Sequence, residues 1–382
     1  MPARLRSFVV LAAFAAFMTG CSGAKTEAPA GQAASSAAPA DGFKIGLMTG
    51  TVSQNEEEFR AGQQLAVKYG NRLKHVTYPD NFMQEQETVI AQLTGLAADP
   101  LVKVIVVGQA VPGSVEAARK IREQRPDILI GFIEPHQDPV LVDQACDIAV
   151  QPDQITRGRT IIAEAAAMGA KTFVHYSFPR HMSQELLARR RDIMKVECAK
   201  QGMKFEFVTA PDPMSEGGLP ATQQFVLEDV PREIQKYGGA TAFFSTNCGM
   251  QEPMIKSVLT SRSGYVAEQC CPSPTHGYPG ALGIAIPRDK AGDIAFINSE
   301  NKRVIAENHM TGHFGTWIAP ESMVGIRAVV NLLVDAVDKK ADPKDMETVQ
   351  KYLVAEAGAA VKIRRYDEKG NMYMILLDHQ VY

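Results

Sequence analysis

Charge of either sign is in no excess in this chain. Lys and Arg number 40 against 43 Asp and Glu, a formal net charge of −3 over 382 residues. That balance leaves no electrostatic footprint for nucleic acid and no polybasic patch for anionic lipid. Long apolar runs are scarce too. The run Phe8–Met18 is shorter than the roughly 20 residues a bilayer-spanning helix needs, and no later stretch qualifies. The usual signatures of catalysis are missing: no G-x-x-x-x-G-K-[ST], no H-E-x-x-H and no G-x-S-x-G. Cysteine is sparse, with six in all. The sequence therefore points away from an enzyme, a nucleic-acid binder and a membrane-spanning protein, and no cofactor is expected.

What is present begins at the N-terminus. Arg4 and Arg6 precede the uncharged run Phe8–Met18, which has the length of a signal-peptide core. Thr19 and Gly20 lead directly into Cys21, and Met18-Thr19-Gly20-Cys21 resembles a lipobox with Met in place of the usual Leu. The expectation is cleavage before Cys21, lipid on Cys21, and an extracytoplasmic protein held to the membrane by that lipid. Residues 22–41 are almost all Ala, Gly, Ser, Pro, Thr and Gln. Such a segment buries too little apolar surface to offset its ordering entropy and reads as a linker.

From Phe43 onward the chain has globular composition and enough length for two core-bearing units. Strand-like and helix-like runs alternate. Phe43–Met48 reads as a strand, and Ser53 with Glu56 as a capping box that opens a helix carrying Phe59, Gly62 and Ala66. Leu101–Val107 is nearly continuously apolar, as a strand covered on both faces requires. The rhythm restarts after the helix Gln154–Met168. This alternation predicts an α/β fold of two doubly wound parallel-sheet lobes. In the tail, Val361–Arg365 and Met372–Leu377 flank Asp367–Gly370 and read as a hairpin. The expected units are a signal peptide (1–20), a lipidated Cys and linker (21–42), a first lobe (43–153 plus 311–339) and a second lobe with a C-terminal extension (154–310 plus 340–382). Crossings between the lobes are expected near Asp153, Met310 and Lys339.

Several segments carry a family resemblance. Ile45–Gly50 with its following helix, Val150–Asp153 with Gly158 and Ala163, the arginine-rich turn Arg189–Met194, and Phe243–Asn247 resemble, in order and spacing, type I periplasmic binding proteins. The basic-membrane-protein and simple-sugar groups look nearest. More narrowly, Tyr176–Ser183, Phe244–Pro253 and Cys270–His276 resemble a family of uncharacterised bacterial lipoproteins. The superfamily resemblance implies capture of a small polar solute between two lobes, with an ABC permease as partner. A lipoprotein that senses a ligand for a membrane receptor is the alternative, and a thiol-dependent enzyme a third reading. Glu268–Pro272 departs from the Gly-Phe-Asp of many sugar binders.

Ligands of open α/β sheets bind beyond the carboxyl ends of strands. That rule selects Thr49, Thr51, Ser53, Gln54, Gln109 and Glu134, with His136, in the first lobe. In the second it selects Tyr176, Ser177, Arg180, His181, Asn247, Gln251, Gln269, His276 and Tyr278. Hydroxyl, amide and imidazole groups dominate this set, which suits a nucleoside-like or sugar-like molecule; Tyr176, Phe178 and Tyr278 could stack on it. A small carboxylate held by Arg180 is the competitor. Thr51 and Ser53 could equally do no more than cap a helix. Cys198 falls on a stripe with Leu187 and Met194 and reads as core. Cys248, Cys270 and Cys271 lie on two loops at one edge of the second lobe. Adjacent cysteines do not match the usual zinc-ligand spacing, so a disulfide from Cys248 to one of the pair stands ahead of a metal site, with free thiols as the remaining alternative.

Overall fold

The computed structural model describes residues 42–382. The signal-peptide, Cys21 and linker expectations fall on residues outside that range. No helix among the described residues is long and apolar enough to cross a membrane.

The first lobe is built on a seven-stranded sheet. Its strands are β1 (Lys44–Thr49), β2 (Leu73–Thr77), β3 (Val102–Val107), β4 (Leu129–Ile133) and β5 (Ile148–Pro152), with two more from the C-terminal tail. The second lobe carries β6 (Thr172–Ser177), β7 (Lys204–Thr209), β8 (Thr241–Ser245) and β9 (Tyr265–Val266) in the order β7-β6-β8-β9, all parallel. A short antiparallel ribbon joins β10 (Gly315–Trp317) to the last strand, β13 (His379–Val381). The tail hairpin forms as expected from β11 (Val361–Arg365) and β12 (Met372–Leu377).

Strand pleating explains why both sheets are covered twice. Ile45 and Leu47 of β1 join Val104 and Val106 of β3 in one core, while Met48, Ile105 and Val107 face the opposite one. In the second lobe Val174, Tyr176 and Phe243 face one way and Phe173, Ala242 and Phe244 the other. Two glycines of the family-like segments have a steric reason. A side chain at Gly62 would meet the His75 ring at 2.3 Å, and one at Gly158 would meet Ile193 at 2.8 Å, where the helices Gln154–Met168 and Glu185–Lys200 pack closely.

Three expectations need correction. The tail belongs to the first lobe, not the second: β12 pairs in parallel with β5, giving the order β11-β12-β5-β4-β3-β1-β2. The apolar run Met372–Leu377 is buried along almost its whole length, and the exposed edge of β5 supplies the cover. Consequently the second and third crossings lie near Ile318 and Asp378, not near Met310 and Lys339. They sit side by side: Asp153 donates its N–H to Ile375 O (2.8 Å), and Ile318 to Asp378 O (3.0 Å). Finally, Thr51 and not Ser53 caps the first helix, Val52–Tyr69, accepting from Gln54 N, while Ser53 donates to Asp80.

Candidate functional site

The cleft between the lobes has a volume of about 380 Å³. Of the residues expected in a site, Ser53, Gln54, Gln109, Glu134, Arg180, His181 and Asn247 line it, and His136 does too. Both lobes thus contribute, through the carboxyl ends of β1, β3, β4, β6 and β8. Gln109 and Glu134 take positive φ, 39° and 45°, at the turns leaving β3 and β4. This left-handed geometry is costly for residues other than Gly. Gln109 is held there by Tyr78, whose hydroxyl donates to its Oε1 at 3.1 Å.

The other expected residues do structural work. Thr49 is sealed from solvent, 2.7 Å from His75 Nε2. Thr51 is the helix cap. Tyr176 is buried and donates to Asp229 at 2.9 Å, and buried Ser177 pairs with Thr246 at 2.7 Å. Gln251 donates to His276 O, and His276 Nε2 lies 3.1 Å from Cys248 O, so these two hold loop to loop. Gln269 accepts from Ser245 N and Oγ and donates to Phe243 O and Ala267 O. Tyr278 is buried and donates to Gly315 O at 2.7 Å. The expected stacking set is therefore wrong: Tyr176, Phe178 and Tyr278 all point into the second lobe's core. The aromatic wall of the cleft is Phe82, edge-on to His136 at 6.0 Å. It sits in the irregular stretch Tyr78–Glu85, where no periodicity marks it.

Arg180 is not a free cation. It donates to both oxygens of Asp212, at 2.9 and 2.8 Å. Asn247 Oδ1 accepts from Gly249 N at 2.9 Å, which fixes the loop after β8. Burial, with Arg180 adjacent, lowers His136 to about 4 and His181 to about 3. Both imidazoles are thus neutral hydrogen-bonding groups near pH 7.

Sequence reasoning missed the buried acids Glu321 and Glu57. Glu321 is buried at the first turn of the helix that follows the second crossing, and neither of its carboxyl oxygens has a hydrogen-bond partner among the described residues. Burial raises the Glu134 and Glu321 carboxyls, and the Glu134 charge raises Glu321 further. Ser322 Oγ donates to Glu134 at 3.3 Å. Glu57, on the first helix, accepts from Ser273 and Thr275 of the second lobe. Behind the cleft, fully buried Arg157 pairs with Glu268 at 2.7 Å and donates to the carbonyls of Gln269 and Cys270. Cys248, Cys270 and Cys271 all line the cleft, and the Cys248 and Cys271 sulfurs are 2.6 Å apart. The expectation that Cys198 is core holds. No three His, Cys, Asp or Glu among the described residues are arranged to hold a metal ion.

Comparison with known proteins places this architecture. A transcriptional-regulator-like protein of Clostridium difficile 630 superposes with a TM-score of 0.75 at 25% identity, covering 90% of this chain and 99% of that one. A sugar ABC transport system substrate-binding protein of Bordetella parapertussis 12822 gives 0.56 at 11% identity, covering 90% and 89%. A periplasmic solute-binding protein of an ABC transporter from Actinobacillus succinogenes 130z, with bound D-allose, gives 0.52 at 13% identity, covering 78% and 92%. Two uncharacterized proteins of Treponema pallidum (strain Nichols) are each 38% identical. They match over 178 and 170 residues, which is 45% and 44% of this chain and 80% and 77% of theirs. The fold is that of type I periplasmic binding proteins. Within it, residues 43–315 match the family described as "Protein of unknown function (DUF3798)", and the chain belongs to that family.

Proposed function

We propose that this protein is an extracytoplasmic solute-binding lipoprotein that captures a small polar molecule in its interlobe cleft and presents it to an ABC permease. The observation that carries the reading is the cleft itself, a 380 Å³ space lined by both lobes beside three adjacent crossings. Such a layout lets the lobes close on a solute by hinge motion. The sugar-binding and D-allose-bound relatives in fold support the solute class.

The lining narrows the ligand. Arg180 is already paired with Asp212, so it offers little to a free carboxylate. Neutral His136 and His181, the Asn247 amide, the Gln54 and Gln109 amides and the Ser53 hydroxyl suit an uncharged molecule read by hydrogen bonds. Phe82 offers one apolar wall for a sugar face or planar ring. We favour a sugar-like or nucleoside-like solute. Lipid on Cys21 would tether the body through the 22–41 linker.

A second reading, a lipoprotein that senses the same solute for a receptor, is favoured by the regulator-like relative in fold. Two experiments separate the components. Cys21→Ser is expected to release the protein from membranes; unchanged membrane partition removes the anchor. Calorimetry against sugars and nucleosides is expected to find a ligand whose uptake stops when an adjacent permease gene is deleted. Uptake unaffected by that deletion favours the sensor.

A further inference from the structure

Arg190 lies on the helix Glu185–Lys200 and is wholly buried. Its guanidinium donates to Gln154 Oε1, stacks on Phe244 at 4.8 Å and reaches Cys270 Sγ at 3.4 Å, while its Nε has no partner. It forms no ion pair with a carboxylate among the described residues. Glu268, the nearby acid, is committed to Arg157. A buried charge without a counter-charge costs several kcal/mol. The group in contact with Arg190 that can become an anion is the Cys270 thiol, and Cys270 is half-buried and lines the cleft.

We propose that Cys270 is a cleft-facing thiolate, held by Arg190, that forms mixed disulfides with small disulfide-bearing solutes entering the cleft. The surroundings agree. The Arg190 guanidinium reaches Cys270 Sγ at 3.4 Å, and Arg157 donates to the Cys270 carbonyl at 2.9 Å, so two buried cations face this residue. The remaining titratable neighbours are Cys248, which lies against Cys271, and Glu134, which opposes the thiolate from the first lobe. Cys146 and Cys198 are both buried, and burial pushes their thiols up. In the reaction the Cys270 sulfur attacks one sulfur of R–S–S–R. A new S–S bond forms between Cys270 Sγ and that sulfur, giving Cys270–S–S–R; the S–S bond of the reagent breaks, and RS⁻ leaves and takes a proton from water. The thiolate is oxidised to the disulfide level and the departing thiol is the reduced product, so no further oxidant is needed. Phe82, Leu186 and Leu187 line the space open to the R group.

The inference uses the cleft's openness to small molecules and does not depend on which solute the protein carries. The test is peptide mapping by mass spectrometry of the purified protein, treated with hydroxyethyl disulfide and, separately, with iodoacetamide between pH 6 and 8. The expected result is a mixed disulfide at Cys270. Its alkylation rate should be nearly flat over that range, where an ordinary thiol near pKa 8.5 accelerates about tenfold per unit. Cys270→Ser should abolish the adduct. Arg190→Met should restore the ordinary pH dependence; should that buried substitution prevent folding, the profile of the unaltered protein decides alone. A Cys270 rate that climbs tenfold per unit, or an adduct confined to other cysteines, overturns the proposal. Solute binding can fail in calorimetry with this labelling intact, so the two readings are tested apart.

Discussion

Glu57 on the first lobe accepts a hydrogen bond from the hydroxyl of Ser273 on the second. Thr275 donates to the same carboxylate oxygen. Two hydroxyls on one buried carboxylate form a latch between the lobes. Hydrogen bonds to a charged group contribute about 1.5–3 kcal/mol each. Glu57→Ala is therefore expected to open the empty protein, seen as a larger radius of gyration in solution scattering, and to weaken solute binding by roughly tenfold. Superimposable scattering curves would remove the latch.

Stability should fall with rising pH near neutrality. Burial raises the Glu58 carboxyl to about 8, opposed by the hydrogen bond from Gly50 N and reinforced by Glu134 and Glu57. Unfolded, it titrates near 4.5. Between those values the folded chain holds a proton that the unfolded chain has released. The associated stability is complete below the unfolded value and declines by up to about 1.4 kcal/mol per pH unit until the folded value is passed. Glu58→Gln should flatten that decline. Denaturant unfolding at pH 5.5 and 7.5 checks it; equal losses in protein and variant would show that Glu58 does not carry the slope.

Cys248 and Cys271 face each other across two loops of the second lobe. Protein recovered from an oxidising compartment should count three free thiols under denaturing, non-reducing conditions: Cys146, Cys198 and Cys270. Five free thiols would remove the cross-link, though not the shared location.

Two cleft residues separate binding from folding. Asn247→Asp keeps the oxygen that accepts from Gly249 N but loses the amide donor. It should weaken binding roughly tenfold, on the basis of about 1–3 kcal/mol for a lost buried partner, with the melting temperature unchanged. Arg180→Ala also strands Asp212, which accepts from Met214 N. It should lower the melting temperature of the empty protein as well. Calorimetry and thermal denaturation on both variants decide; unchanged affinity in Asn247→Asp would move the site elsewhere.

The fold was largely legible because periodicity is local. Covered strands such as Leu101–Val107 and the helix faces announced themselves, as did the tail hairpin. Its address did not, because β12 pairs with β5 across more than half the chain and no local pattern records that. The site was half legible. The rule of strand ends found Gln109, Glu134, Arg180, His181 and Asn247, but it could not tell which loop residues face the cleft. Tyr176 and Tyr278 are the clearest cases, since both turn inward to fill a core. The buried Glu321 was invisible because it comes from a distant segment that reaches the first lobe only after the second crossing.

The central claim is that the cleft holds a small polar solute. Native mass spectrometry of protein purified gently from the cell envelope tests it most directly. The account predicts one small polar molecule per chain, released on denaturation and depleted in Asn247→Asp. Protein that carries nothing, and whose mass and melting temperature no sugar or nucleoside shifts, would contradict it.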